Sequence, residues 1–286
     1  MYIDLHIHTT CSDGSLTPSQ VVQSAKEKDL KAIAITDHDT IDGNEEALKE
    51  GKNQDIEVIP GVEISVDYSP GSMHMLGYFI TTDDTTLKEK LTLLQGSRAD
   101  RNPKIIEKLN ERGLALTYDE VVHESGGGQV GRPHIAQVLL KKGYVKNIQE
   151  AFDKYLGKGA PAYLDKFRFG AEEAITTIID AGGIPVLAHP FTLFCKGSEE
   201  LEALVKKLVS IGLQGIEVYY SEHNQRQISQ YSKLAEQHNL AITGGSDFHG
   251  KNMKGIDLGT GRGNLKVPYS LFENLRSLLK EKHNRG

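Results

Sequence analysis

YIDLHIHTTCSDGSLTPSQVVQSAKEKDLKAIAITD, residues 2–37, reads as strand, helix, strand. Tyr2 to His8 is a β-rich run. Thr17-Pro18 then opens a helix, with the threonine as N-cap and the proline in the first turn, where its missing N–H costs nothing. Val21, Val22 and Ala25 continue one apolar face, and Ala32 to Asp37 forms a second β-rich run. Strands joined through a helix pair in parallel. Outward from this unit, further β-rich runs fall at Glu57 to Ser65, Met73 to Ile80, Ile184 to His189, Gly215 to Tyr220 and Ala241 to Ser246, with helical periodicity after Glu199 and after Arg226. The runs AIAIT and IPVLA lack polar alternation, as parallel strands buried on both faces do. The expected fold is α/β, a barrel or a doubly wound sheet.

Between about Leu87 and Leu164 the rhythm changes. Helical patterns (Ile105, Ile106, Leu109; Ile135, Val138, Leu139, Leu140) replace strand signal around a glycine turn at Gly126 to Gly128. The expected organisation is an α/β unit made from residues 1–86 and 165–286, with 87–164 as a helical insertion. No internal repeat or low-complexity tract interrupts the chain, and the closing EKHNRG reads as a frayed polar tail.

A chain of 286 residues, 38% hydrophobic and 25% charged, buries a sizeable core without disulfide staples. Its net charge of -6 argues against a protein that holds nucleic acid by wrapping it in Lys and Arg, so no stable nucleic-acid complex is expected. No run approaches the roughly 18 apolar residues of a membrane helix, and MYIDLHIHTT lacks the regions of a secretory signal. Cys11 and Cys195 are too few for a disulfide framework. A cytoplasmic protein with free thiols and no membrane partner is expected.

Chemistry concentrates in the histidines. Of eleven, six lie at strand ends beside acidic residues: His6 and His8, His38, His74, His189 and His249. Strand residues two apart share a face, so His6 and His8 can grip one ion together. Asp37 with His38, and Asp247 with His249, repeat carboxylate and imidazole at other strand ends, where parallel α/β folds place their sites. This donor set suits Mn, Fe or Zn, whereas all-oxygen ligands would favour Mg or Ca. His123, His238 and His283 fall in helical or tail contexts and read as surface residues. GTGRG at Gly259 to Gly263 and SGGGQVGR both lack the full spacing of a phosphate-binding glycine loop.

Together HIHTTCSDG, TDHDT, AHP and SDFHG, with GVEIS between the second and third, resemble the polymerase and histidinol phosphatase (PHP) superfamily of metal-dependent phosphoesterases. The resemblance covers nearly the whole chain and implies a distorted seven-stranded (β/α) barrel with a small helical insertion domain. It implies two or three divalent ions, Mn first with Fe or Zn as alternatives. One ion would be held by His6, His8, Glu63 and Asp247, a second by Asp13, His38 and His249, and a third by Glu63, His74 and His189. Asp247 would also orient the attacking hydroxide, with His189 and His249 as further catalytic candidates for proton transfer.

GRPHIA, residues 131–136, is similar to a sequence of the subgroup of tryptophan-operon-linked PHP proteins and nucleoside 3',5'-bisphosphate phosphatases. Arg132 can bind a phosphate bidentately, and Pro133 at a first helical position places His134 near a helix amino terminus, where anions are favoured. Arg98 and Arg101 either widen this basic pocket or form a solvated helix face. Glu217 and His223 are candidates for the substrate side of the site. The expected activity is hydrolysis of the 3'-phosphate of small nucleotides by metal-activated hydroxide. The alternatives are 5'-to-3' exonuclease action on short RNA, histidinol phosphate hydrolysis, and a non-catalytic nucleotide-binding metal domain.

Overall fold

A computed structural model of the chain describes residues 1–126 and 128–283. The glycine turn at 126–128 and the polar tail fall partly outside these residues, as does the His283 side chain. All seven β-rich runs form strands: β1 (Tyr2–Ile7), β2 (Leu30–Ile35), β3 (Glu57–Val66), β4 (Met73–Tyr78), β5 (Ile184–Leu187), β6 (Gly215–Tyr220) and β7 (Ala241–Gly245). An eighth, β8 (Val267–Pro268), is two residues long and lies antiparallel to β1. The order β7-β6-β5-β4-β3-β2-β1-β8 makes one sheet, and it curls until β1 meets β7. There the Asp247 N–H donates to His6 O at 2.9 Å and the His8 N–H to Phe248 O at 2.9 Å. Gly245 permits this closure, because a Cβ at that position would stand 2.3 Å from the His6 nitrogen. Buried Asp4 locks the same seam, its carboxylate accepting from the Ser246 N–H at 2.8 Å and the Gly259 N–H at 2.7 Å.

Parallel pairing does not hold throughout, for β4 is antiparallel to both β3 and β5. Only residues 67–72 join β3 to β4, too few for a crossover helix, so the chain turns back as a hairpin. The reversal serves the site. The start of β4, rather than its end, lies at the mouth where the other strands end, and His74 is its second residue.

The helices α1 (Pro18–Glu27) and α2 (Asn44–Gln54) pack beside the first strands. Thr17 caps α1 as its sequence predicts, in a reciprocal box with Gln20 that contributes about 1 kcal/mol. Between β4 and β5 come α3 (Thr85–Asn110), α4 (Tyr118–Glu124), α5 (Arg132–Lys141), α6 (Ile148–Ala151) and a π-turn over Phe152–Leu156. The 26 residues of α3 extend roughly 39 Å. Leu87, Leu91 and Leu94 at its start join the core beside the sheet, whereas Ile105, Ile106 and Leu109 near its end belong to a separate apolar cluster drawn from residues 105–162. The outer layer is completed by α7 (Ala171–Asp180), α8 (Ser198–Ser210), α9 (Gln225–Gln237) and α10 (Tyr269–His283).

Candidate metal centre and substrate cavity

Strand ends bring all nine of the expected ligand residues to one mouth, around Glu63. Its Oε2 lies 2.9 Å from His38 Nδ1, 3.2 Å from His8 Nε2 and 3.4 Å from His6 Nε2. Its Oε1 lies 2.8 Å from His74 Nδ1 and 3.0 Å from His189 Nε2. Asp247 Oδ1 stands 3.0 Å from His8 Nε2 and 3.4 Å from His6 Nε2, and Asp13 Oδ1 3.2 Å from His249 Nε2. Four overlapping sets have ligand atoms within 4.8 Å of one another: His8, Asp13, His38, His249; His6, His8, Asp247; His6, Glu63, His189; and His38, Glu63, His74. His74 and His189 therefore fall into different sets, each with Glu63, rather than into one.

The donors fit divalent cations. His6 Nε2, His8 Nε2, His38 Nδ1 and Glu63 Oε2 are buried and converge, yet none has a hydrogen-bond partner among the described residues. Such groups are costly unless lone pairs meet a cation. Burial opposes charge on Glu63, Asp13 and Asp247, but the facing histidines outweigh it and hold all three carboxyls well below their usual range. Burial, reinforced by His38 and His189, lowers the His74 pKa to about 4 against the pull of Glu63, leaving a neutral lone-pair donor. Two of the nine residues carry left-handed backbone, His189 (φ 24°) and Asp247 (φ 57°), strain of a kind that gathers at functional sites.

A supporting layer holds these groups. Asp37 is not among the converging ligands. Its carboxylate accepts from the Thr9 N–H and hydroxyl, both at 2.7 Å, and from Ser12 Oγ, which fixes the loop between His8 and Asp13. Tyr220 donates its hydroxyl to Asp247 Oδ2 at 2.8 Å. Glu217, expected on the substrate side, is instead fully buried beneath the cluster, with Oε1 2.9 Å from His6 Nδ1 and Oε2 accepting the His189 N–H at 2.8 Å. Its place in β6 sends its side chain into the barrel. His223 likewise departs from expectation: its Nδ1–H donates to Val218 O at 2.8 Å, and the ring packs among Phe191, Tyr220 and Tyr231.

Beside the cluster opens a cavity of about 380 Å³, bordered by Asp13, His38 and His74. Its walls include six cations: Arg98, Arg101, Arg132, Lys158, Lys166 and Arg168. Arg98 and Arg101 are thus cavity residues, not a solvated face. Arg132 stacks over Phe152 and Tyr163 and donates to Leu156 O at 2.9 Å. Arg101 is 4% exposed and, among the described residues, its guanidinium bonds only to Asn102 Oδ1; burial and neighbouring Arg132, Arg98 and Arg168 lower its pKa to about 9. His134 corrects a further expectation. At 1% exposure it lies outside the cavity wall, and its Nδ1 accepts the Gly131 N–H at 3.0 Å and so caps its own helix, while its Nε2 has no hydrogen-bond partner among the described residues. His123 is exposed, whereas His238 is half-buried.

Sequence reasoning missed Asp4, Asp39, Lys158, Lys166, Arg168 and Tyr220. A carboxylate inside the apolar run YIDLHI was the available signal for Asp4, and the second aspartate of DHD was that for Asp39. Nothing near Lys166 in sequence marks it.

The PHP domain profile matches residues 4–250. A 3',5'-nucleoside bisphosphate phosphatase of Chromobacterium violaceum is 32% identical over 258 residues, 90% of each chain. A 5'-3' exoribonuclease of Haemophilus influenzae is 34% identical, covering 89% of this chain and 95% of its own. A Bifidobacterium adolescentis structure designated a candidate metal-dependent phosphoesterase superposes with a TM-score of 0.84 at 28% identity, covering 96% of this chain and 94% of its own. With four motifs converging on one clustered site in a curled α/β sheet, the chain belongs to the PHP family of metal-dependent phosphoesterases.

Proposed function

We propose that the enzyme removes the 3'-phosphate from nucleoside 3',5'-bisphosphates. The observation that carries this reading is the cationic cavity opening directly beside the cluster: a substrate with a second phosphate fits two adjacent seats. Among the described residues, Arg101 and Arg132 face no carboxylate at hydrogen-bond distance, so a phosphate dianion would supply the counter-charge. Arg98, Arg101, Arg132, Lys158 and Tyr163 in the cavity wall support a part in substrate binding for the helical segment 87–164.

His6, His8, Asp13, His38, Glu63, His74, His189, Asp247 and His249 would hold two or three ions, Mn first by the mix of imidazole and carboxylate, with Fe or Zn as alternatives. Such ions supply a hydroxide at neutral pH and neutralise phosphoryl charge. The chain's own part is positional: Glu217 orients His6 and His189, Tyr220 orients Asp247, and the cavity cations fix the far phosphate. Asp247 and the edge histidines His189 and His249 border the reacting group and are the candidates for proton handling. The free thiols of Cys11 and Cys195 suit a cytoplasmic setting.

The same cationic seat receives the 5'-phosphate of a short RNA, and the exoribonuclease name of the Haemophilus relative supports that second reading. Product analysis with Mn, Fe, Zn and Mg separates the two, because the bisphosphate would yield inorganic phosphate whereas exonuclease action on RNA would yield nucleoside 5'-monophosphates. Adenosine 3',5'-bisphosphate should be the preferred substrate over 5'-phosphorylated short RNA and histidinol phosphate. Preference for RNA would establish the second reading.

A further inference from the structure

Asp39 directly follows His38, and its side chain is fully buried. Its Oδ1 accepts the Ser65 N–H at 2.8 Å, and its Oδ2 accepts the Ser65 hydroxyl at 3.1 Å. The same Oδ2 takes Arg98 through Nε at 3.0 Å and through Nη2 at 2.5 Å, and Lys166 Nζ at 2.7 Å. Its backbone is engaged too: the N–H donates to Glu63 O at 2.9 Å, and the carbonyl accepts Gln95 Nε2 at 3.0 Å. All this is built on left-handed backbone (φ 53°), a conformation that a non-glycine residue keeps only where its surroundings impose it.

Asp39 therefore joins four parts of the molecule: the His38 segment to which it belongs, β3 through its carboxylate on Ser65 and its N–H on Glu63, α3 through its carboxylate on Arg98 and its carbonyl on Gln95, and the returning segment through its carboxylate on Lys166. Both cations also line the cavity. One negative charge against two positive charges leaves a net positive pair turned toward the space where the second phosphate is placed. Without the carboxylate, two buried neighbouring cations would repel and swing apart.

Resting on the bisphosphate reading above, we propose that Asp39 is a positioning residue that aims Arg98 and Lys166 at the second phosphate and couples that grip to the His38 side of the metal centre. Asp39 touches neither substrate nor ion; it acts through the two cations it holds. The inference gives a purpose to a buried charge cluster that neither the metal ligands nor the core requires.

The test is calorimetric titration of the metal-loaded, full-length protein with adenosine 5'-phosphate and, separately, with inorganic phosphate, for wild type, Asp39→Asn and Arg98→Lys. The asparagine variant should weaken adenosine 5'-phosphate at least about tenfold, the scale of one lost charge-assisted contact, while inorganic phosphate shifts by less than about twofold. In turnover of adenosine 3',5'-bisphosphate, KM should rise far more than kcat falls, a split that general loosening of the fold would not give. Arg98→Lys keeps the charge but loses the two-nitrogen grip, and should weaken adenosine 5'-phosphate at least threefold even if Asp39→Asn does not fold. Unchanged adenosine 5'-phosphate binding in either variant overturns the role of Asp39 and leaves the bisphosphate reading intact, and so does equal weakening of both ligands by Asp39→Asn. No adenosine 5'-phosphate binding by the wild type overturns the cavity reading itself, and the role of Asp39 with it.

Discussion

At the barrel mouth, six imidazoles meet three carboxylates, and Glu63 alone approaches five of the rings. In the cavity beside it, six Lys and Arg side chains line the wall, and among the described residues carboxylates pair with three of them, Asp39 with Arg98 and Lys166 and Asp165 with Arg168. The first region has lone pairs and negative charge that call for cations, and the second has positive charge that calls for an anion. A phosphoester with a second phosphate answers both at once. On the proposed function, bond breaking would reside on the strand ends and substrate choice mainly on the segment between β4 and β5. Substitutions in the two regions should separate accordingly.

The largest effect is expected at the mouth. Asp247→Asn keeps the size of a side chain that faces His6 and His8 but removes its charge, so turnover of every phosphoester should fall by at least about a hundredfold. Circular dichroism should show the fold intact; wild-type turnover would exclude the role. Next comes the layer behind. Glu217→Gln weakens the hold on His6 and His189, and partners of this kind cost roughly 10–100-fold in metal affinity or activity when mutated. Metal content by plasma emission should fall with activity, and retained metal with full activity would make Glu217 a simple core residue.

In the cavity, Arg132→Ala should reduce kcat/KM for adenosine 3',5'-bisphosphate at least about tenfold, the loss of a contact worth roughly 1.5–3 kcal/mol. A nitrophenyl phosphoester, with no second phosphate, should lose much less, and metal content should hold. Equal loss on both substrates would assign Arg132 to the reacting group or to its packing on Phe152 and Tyr163. The smallest effect concerns pH. Burial, aided by Arg98, lowers the Lys166 pKa to about 7 despite Asp39. The ammonium is present below that value and lost above it, so the KM for the bisphosphate should rise severalfold from pH 6 to 8.5. Lys166→Arg, which stays charged, should flatten that rise; identical profiles would remove Lys166 from phosphate binding.

The strand framework was legible because two-residue spacing and uninterrupted apolar runs report local backbone and burial directly. The six clustered histidines were legible for a related reason: each sits where a strand meets the mouth. The reversal of β4 was legible only through the short connection 67–72, which the alternating rhythm concealed. Glu217 and His134 carry the right chemistry at plausible positions, but burial and a local hydrogen bond turn them to support, and neither effect is written in residue type. Asp39 pairs with Arg98 and Lys166, 59 and 127 residues away. A pairing of that span exists only once the chain has folded.

The central claim is that the cavity adds a second phosphate seat to the metal centre. Its most direct test is kcat/KM for adenosine 3',5'-bisphosphate against adenosine 3'-phosphate, measured with one Mn-loaded preparation. The two differ only by the phosphate that the cavity would hold. A preference of at least about tenfold for the bisphosphate, carried mainly by KM, is the predicted result. Equal values for the two nucleotides would contradict the account.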